Sequence, residues 1–226
     1  MIYVMSDIHG CYDKYEKMLK KINLTNEDTI YILGDVLDKG PAGMKVLLDI
    51  ADRDNIILLR GNHEYAALIF LWKHHVHEEL EITEYLPLSF ELWWSDGGSA
   101  TATEFSQLDD KEQEKALDVI KRSLISKELE INGQKYLLAH TAPEIEKVVD
   151  YDNWMLYDFI IGEPDYDEVY FRDKIIVTGH TPTGYIDNTY KGRIWKGNNH
   201  IAIDCGAAYG GSLGCICLDT MEEFYV

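Results

Sequence analysis

Three polar peptides decide the fold: Ser6-Asp7-Ile8-His9-Gly10, Gly34-Asp35-Val36-Leu37-Asp38-Lys39-Gly40 and Gly61-Asn62-His63-Glu64. Each begins where a short apolar run ends, at 2–5, 29–33 and 56–59. Between the runs, apolar residues recur at helical spacing: Tyr15, Met18, Leu19 and Ile22, then Met44, Leu47, Leu48 and Ala51. Pro41 stands where the second helix should start, a position that tolerates its missing N–H. The order is βαβαβ, which predicts a parallel sheet with helical crossovers. All three peptides then fall at the carboxyl ends of strands, where such sheets bind ligands.

Working outward, residues 64–108 read as mostly helical, with a break at Gly97-Gly98. Asp109 followed by Glu112 has the pattern of a capping box ahead of Leu117, Ile120 and Leu124. Runs at 128–131 and 134–139 flank Asn132-Gly133, a hairpin signal. The second of these runs leads into Ala139-His140-Thr141, and a further strand at 174–178 leads into Gly179-His180-Thr181. Antiparallel strands are expected at 186–190, 193–196, 201–204 and 213–218. No internal repeat, low-complexity tract or linker interrupts the 226 residues. The expectation is one α/β domain over 1–226, with a core of two packed sheets flanked by helices.

Forty acidic against 21 basic side chains give a formal charge of −19, which disfavours a general nucleic-acid binder. A nuclease is disfavoured on the same ground. No basic-then-apolar leader and no bilayer-length apolar run are visible in the sequence. Cys11, Cys205, Cys215 and Cys217 read as free thiols rather than a disulfide framework, which favours the cytoplasm.

The polar peptides supply Asp, His and Asn, ligand types suited to first-row divalent metals. Two such ions about 3.5–4 Å apart can clamp a phosphate and lower the pKa of a bound water toward about 7. That arrangement needs one carboxylate between the ions. Asp7, His9 and Asp35 could serve one ion, and Asp35, Asn62, His140 and His180 the other.

In order and spacing, the motifs resemble those of the phosphoprotein phosphatase family within the calcineurin-like metallophosphoesterases. The resemblance runs from Asp7 to about Gly211. Ile203-Asp204-Cys205-Gly206-Ala207 with Gly210-Gly211 resembles the family's bacterial branch. The resemblance implies a calcineurin-like fold and two divalent ions, with manganese expected and iron or zinc compatible. It implies metal ligation by Asp7, His9, Asp35, Asn62, His140 and His180. It further implies that a metal-activated hydroxide attacks phosphorus, that His63 is the general acid, and that Asp38 holds it. Phosphate contacts are expected from Asn62, Lys39 and Arg172. Lys39 replaces the family's arginine, exchanging a planar fork for a point charge. Arg172 is chosen as the sole arginine between His140 and His180.

The expected activity is a phosphomonoesterase, a Ser/Thr protein phosphatase first. Hydrolysis of dinucleoside polyphosphates is the alternative enzyme reading. A metal-dependent phosphoprotein-binding pseudoenzyme is the rival of another class, disfavoured by retention of His63 and Asp38. The expected partner is a phosphorylated protein or a small phosphate ester, with no membrane. His74, His75 and His77 read as helix-surface histidines and His200 as structural. Trp72, Tyr85, Phe90, Trp93 and Trp94 are expected to pack the helical layer, a minority lining a cleft. The acidic stretch 144–173, which includes Asp150, Asp165, Asp167 and Glu168, is read as bordering the site and selecting basic substrates.

Overall fold

The computed structural model describes residues 1–75 and 86–226, with only the backbone described for 73–75 and 147–150. His77, Tyr85 and the side chains of His74, His75 and Asp150 lie outside that description. The chain opens with β1 (Ile2–Met5), α1 (Tyr12–Lys21), β2 (Thr29–Ile32), α2 (Gly43–Ala51), β3 (Ile56–Leu58) and α3 (Asn62–His75). Helices α4 (Phe90–Trp93), α5 (Ser99–Gln107) and α6 (Asp110–Arg122) follow. Then come β4 (Ser126–Ile131), β5 (Gln134–Ala139), α7 (Leu156–Ile160), β6 (Lys174–Thr178) and α8 (Thr183–Ile186). β7 (Trp195–Gly197), β8 (His200–Ala202), β9 (Gly214–Cys217) and β10 (Glu223–Tyr225) finish the fold.

Two five-stranded sheets result, ordered β10-β9-β1-β2-β3 and β4-β5-β6-β8-β7. The βαβαβ start forms parallel pairs β1–β2 and β2–β3, as the sequence order requires. Alternation along each strand sends side chains to opposite faces. Val4, Tyr31, Leu138, Val177, Ile201 and Ile216 meet between the two sheets. Met5, Ile30 and Ile32 face the other way, onto Tyr15, Met18, Met44 and Leu47 of α1 and α2. Leu138 is fully buried, so truncation to alanine should cost about 2–5 kcal/mol.

Asp109 caps α6 with both halves of the capping box formed. The expected hairpin is present, with Asn132 and Gly133 both at positive φ between β4 and β5. Other expectations need correction. Helix α2 starts at Gly43, two residues after Pro41, and carries no capping side chain of its own. The Glu104 carboxylate, from α5, instead accepts the N–H groups of Gly43 and Met44. Residues 186–190 form no strand: the Asp187 side chain accepts the N–H and hydroxyl of Thr189 and starts a short helical turn, 188–190. Strand β8 pairs parallel to β6, so the last strands are not uniformly antiparallel. All four cysteines are free, three of them buried. His200 is buried and bonded to Thr178 Oγ1 at 2.8 Å, tying β8 to β6. No helix among the described residues is long and apolar enough to cross a membrane.

Candidate active site

The loops after β1, β2, β3, β5 and β6 converge on one rim of the sandwich. The backbone does much of the work. Asp7, His9, Asp35, Asp38, Lys39 and His180 all have positive φ, between 43° and 65°. Asp and His tolerate that region better than most residues, at a cost of order 1 kcal/mol or more each. The sharp left-handed turns point several side chains of one loop into the same space. They persist because neighbouring backbone holds them. Asp7 N donates to Gly34 O, His9 N to Asp35 O, and Gly40 N to His9 O. A Cβ on Gly61 would lie 2.1 Å from Asp35 Oδ1, so only glycine lets the third loop approach the second.

Glu64 supplies the strongest fastening. Its buried carboxylate accepts N–H bonds from Asp35 (2.6 Å), Val36 (2.9 Å), Leu37 (3.2 Å) and Gly61 (3.0 Å). One side chain thereby welds the second and third loops together.

The candidate ligands meet. Asp35 Oδ2 lies 3.7 Å from His9 Nε2 and 3.4 Å from His140 Nε2, facing both histidines at once. Asn62 Oδ1 is 3.0 Å from His140 Nε2 and 3.1 Å from His180 Nδ1. His9 Nδ1 donates to Leu37 O and His140 Nδ1 to Leu33 O, which leaves each Nε2 lone pair aimed inward. Burial pulls His9 and His140 well below their ordinary range and His180 down to about 4. The rings are therefore neutral and able to donate electron pairs. Burial also pushes Asp7 and Asp35 well up, with Asp204 adding to the first and Glu64 to the second. Asp7 Oδ1 is buried without a hydrogen-bond partner among the described residues. Ligand atoms of His9, Asp35 and His63 lie within 4.8 Å of one another, as do those of Asp35, His140 and His180. Crowded carboxylates, inward lone pairs and an orphaned oxygen are a donor set that fits divalent cations.

His63 and Asp38 form a separate unit. His63 Nδ1 meets Asp38 Oδ2 at 2.6 Å, and Trp93 Nε1 donates to the same oxygen at 2.9 Å. Asp38 N donates to Thr101 Oγ1. Burial pushes Asp38 up to about 6; burial first, then the Lys39 ammonium, pulls His63 down to about 3. With Nδ1 committed to a carboxylate, Nε2 is the nitrogen turned to the site. Lys39 Nζ stands 3.1 Å from His63 Nε2 and 3.2 Å from His9 Nε2. Its ammonium also lies 5.5 Å from the Tyr209 ring centre.

Arg172 is not brought to this site. It precedes β6, whereas His180 follows it, so the two flank opposite ends of a strand about 17 Å long. Its side chain is exposed. Chain order placed it between two histidines, but strand direction carries it to the far rim.

Several residues were not foreseen in these roles. Trp93, Asp96, Gly97 and Thr101 come from a helical segment that crosses the second loop. Residues Trp94–Gly98 form a wide turn that leaves helical geometry at Asp96 and Gly97. A Cβ on Gly97 would sit 2.3 Å from Lys39 N. Asp96 Oδ2 lies 3.6 Å from His63 Nε2. The buried Asp204, next to Asp7, accepts Gly206 N and is pushed up to about 6 by burial. Lys14 Nζ clamps the following loop through Ala207 O and Gly211 O.

Residues 1–209 match the family described as calcineurin-like phosphoesterase. The chain belongs to that family. Calcineurin-like phosphoesterases are hydrolases that work with a dinuclear metal centre, and the donor set above is this member's candidate for it. The chain is 24% identical over 254 aligned positions to an asymmetrical bis(5'-nucleosyl)-tetraphosphatase of Anoxybacillus flavithermus, covering 100% of this chain and 94% of the relative. A symmetrical bis(5'-nucleosyl)-tetraphosphatase of Wigglesworthia glossinidia brevipalpis is 40% identical over 87 residues, but the match spans 37% of this chain and 32% of that protein. A solved putative diadenosine tetraphosphatase has the same fold, with TM-score 0.67 and 17% identity over 100% of this chain and 92% of that one.

Proposed function

We propose that this calcineurin-like phosphoesterase hydrolyses phosphate monoesters at a two-ion site formed by Asp7, His9, Asp35, Asn62, His140 and His180, with His63 as proton donor to the leaving oxygen. One observation carries the reading. His63 borders the candidate ligands, its Nε2 3.8 Å from Asp35 Oδ2, but unlike them its Nδ1 is held by a carboxylate, that of Asp38, at 2.6 Å. A metal-binding module without turnover needs no such pair.

Two divalent ions would supply charge and an activated water at neutral pH. Manganese is our first expectation, and Asp, Asn and His donors also suit iron or zinc. The chain's own residues do the rest. Asp35 faces both histidine sets and fixes their spacing. Asn62 and Lys39 offer a neutral and a charged contact to phosphate oxygens. Because its Nδ1 faces the Asp38 carboxylate, His63 can give up an Nε2 proton only as the imidazolium. The Asp38 carboxylate opposes the burial and the Lys39 ammonium, which both disfavour that cation. An alkoxide leaving group needs such a proton; a positioned acid contributes about 10²–10⁴-fold. The narrower reading, a Ser/Thr protein phosphatase, rests on the motif resemblance. A single domain over 1–226 and a cytoplasmic location belong to the same proposal.

A second reading, hydrolysis of dinucleoside polyphosphates, is favoured by a specific observation. The full-length relative bears that name, and so does a solved structure of the same fold. The test is metal-reconstituted protein assayed on an alkyl phosphate, an aryl phosphate, phosphoserine, phosphothreonine and phosphotyrosine peptides, and a dinucleoside tetraphosphate. Turnover of monoesters supports the first reading. Turnover of the tetraphosphate alone transfers the assignment to the second.

A further inference from the structure

One cleft reaches Tyr209, which neighbours Lys39, and another opens on His63, and their linings differ. One, of about 220 Å³, is lined by Tyr185, Lys191, Gly206 and Tyr209. The other, of about 510 Å³, has walls from Leu88, Leu92, Trp93 and Ile161, with His63, Asn62, Asp96 and two serines as its polar lining. Its size suits a ring-bearing ligand group. Leu92 is 72% exposed, an apolar side chain left open to solvent at the cleft wall. No Lys or Arg belongs to this lining among the described residues. Its one carboxyl side chain among the described residues is Asp96, whose Oδ2 lies 3.6 Å from His63 Nε2. Asp96 sits at the kink before Gly97, which packs directly on the Lys39 backbone, and its side chain is largely exposed.

The proton from His63 must reach the oxygen that leaves, so whatever that oxygen carries departs on the His63 side. We infer that the Leu92–Trp93–Asp96 cleft is the leaving-group subsite, and that it takes an uncharged, apolar alcohol bearing a ring, such as a tyrosyl or other aryl-type group, and rejects a polyphosphate. Apolar walls reward a ring by removing it from water. A carboxylate beside the acid repels the anionic chain that a cleaved dinucleoside polyphosphate would send the same way. Lys39 Nζ stands 3.1 Å from the same His63 nitrogen but does not line this cleft, lying instead toward Tyr209, and Lys191 lines the smaller cleft. The inference rests on the monoesterase reading and narrows its substrate class.

The test uses full-length, metal-reconstituted protein with benzyl phosphate, ethyl phosphate and a dinucleoside tetraphosphate. Benzyl alcohol and ethanol are similar as leaving groups, so their comparison isolates the ring. Wild type should prefer benzyl to ethyl phosphate by about tenfold or more in kcat/KM, the scale of apolar pocket discrimination. Leu92→Asp should remove that preference, read as the ratio of the two kcat/KM values. Asp96→Lys should raise tetraphosphate turnover relative to benzyl phosphate by about tenfold or more. Benzylphosphonate, which is not hydrolysed, should bind more tightly than ethylphosphonate in calorimetry, and Leu92→Asp should erase the difference. Equal use of benzyl and ethyl phosphate, or ratios that neither variant moves, would overturn the subsite. No turnover of any substrate would instead overturn the hydrolase reading beneath it, and turnover of the tetraphosphate alone would favour the second reading over both.

Discussion

The candidate site has two halves built in opposite ways. The strand-end half, Asp7 to Glu64 with His140 and His180, is buried and held by backbone. Its turns are left-handed, and Glu64 ties four N–H groups to one carboxylate. The helical half, Trp93 to Glu104, reaches the same loops from outside through side chains. Trp93 and Thr101 hold Asp38, Glu104 caps α2, and Asp96 faces His63. In the proposed reaction the first half would hold the metal, and the second would adjust the acid and the surroundings of the leaving group.

That contrast can be broken from either side. The largest effect should come from Asp35→Asn, which weakens the one oxygen facing both histidine sets. Metal analysis should show loss of at least one bound ion per chain, with affinity lowered by about 10²-fold or more. Asp38→Asn should leave metal content intact and lower kcat by about 10²–10⁴-fold, because the imidazolium loses its counter-charge. Glu64→Ala should strike the fold instead. Leaving buried N–H groups unpaired costs about 3–5 kcal/mol, which corresponds to a fall in Tm of roughly 6–20 °C. Trp93→Phe, in the helical half, should lower kcat by only about 3–10-fold with unchanged metal affinity, since one of several groups on Asp38 is lost. If Trp93→Phe abolished metal binding, the two halves would not be separable.

The smallest effect concerns pH. Asp204 is buried and its folded pKa is raised to about 6 from an ordinary 3.8. The folded state therefore binds the proton more tightly. That stabilisation is complete below pH 3.8 and is lost as pH rises through about 6. Chelator-treated protein should lose about 1–3 kcal/mol from this group over that window. Asp204→Asn should flatten the slope in thermal melts, and an unchanged slope would contradict the assignment.

The strand-end half was legible because residue type, order and backbone demand coincide there. Asp, His and glycine occur where a left-handed turn follows an apolar run. Glu64 stood in the quoted motif without a role; its cue was a charged residue beside Tyr65, Ala66 and Ala67 on a helix that buries them. The helical half was legible as helices broken at Gly97-Gly98, but its contacts with the second loop were not. Trp93 is 55 residues from Asp38, Thr101 63, and Glu104 61 from Gly43, and no spacing rule links such pairs. Arg172 failed for the converse reason. Being between two histidines in the chain says nothing about which end of β6 a residue occupies. The turn at 188–190 was misread because Asp187 offers its backbone neighbours a local partner that competes with strand pairing.

The central claim is that His63 gives a proton to the leaving oxygen at a metal-dependent site. The most direct measurement compares metal-reconstituted wild type with His63→Asn on an alkyl phosphate and on a nitrophenyl phosphate, whose leaving group needs little protonation. The account predicts a loss of about 10²–10⁴-fold in kcat on the alkyl ester and a far smaller loss on the nitrophenyl ester, with metal content unchanged. Equal losses on both esters would contradict it.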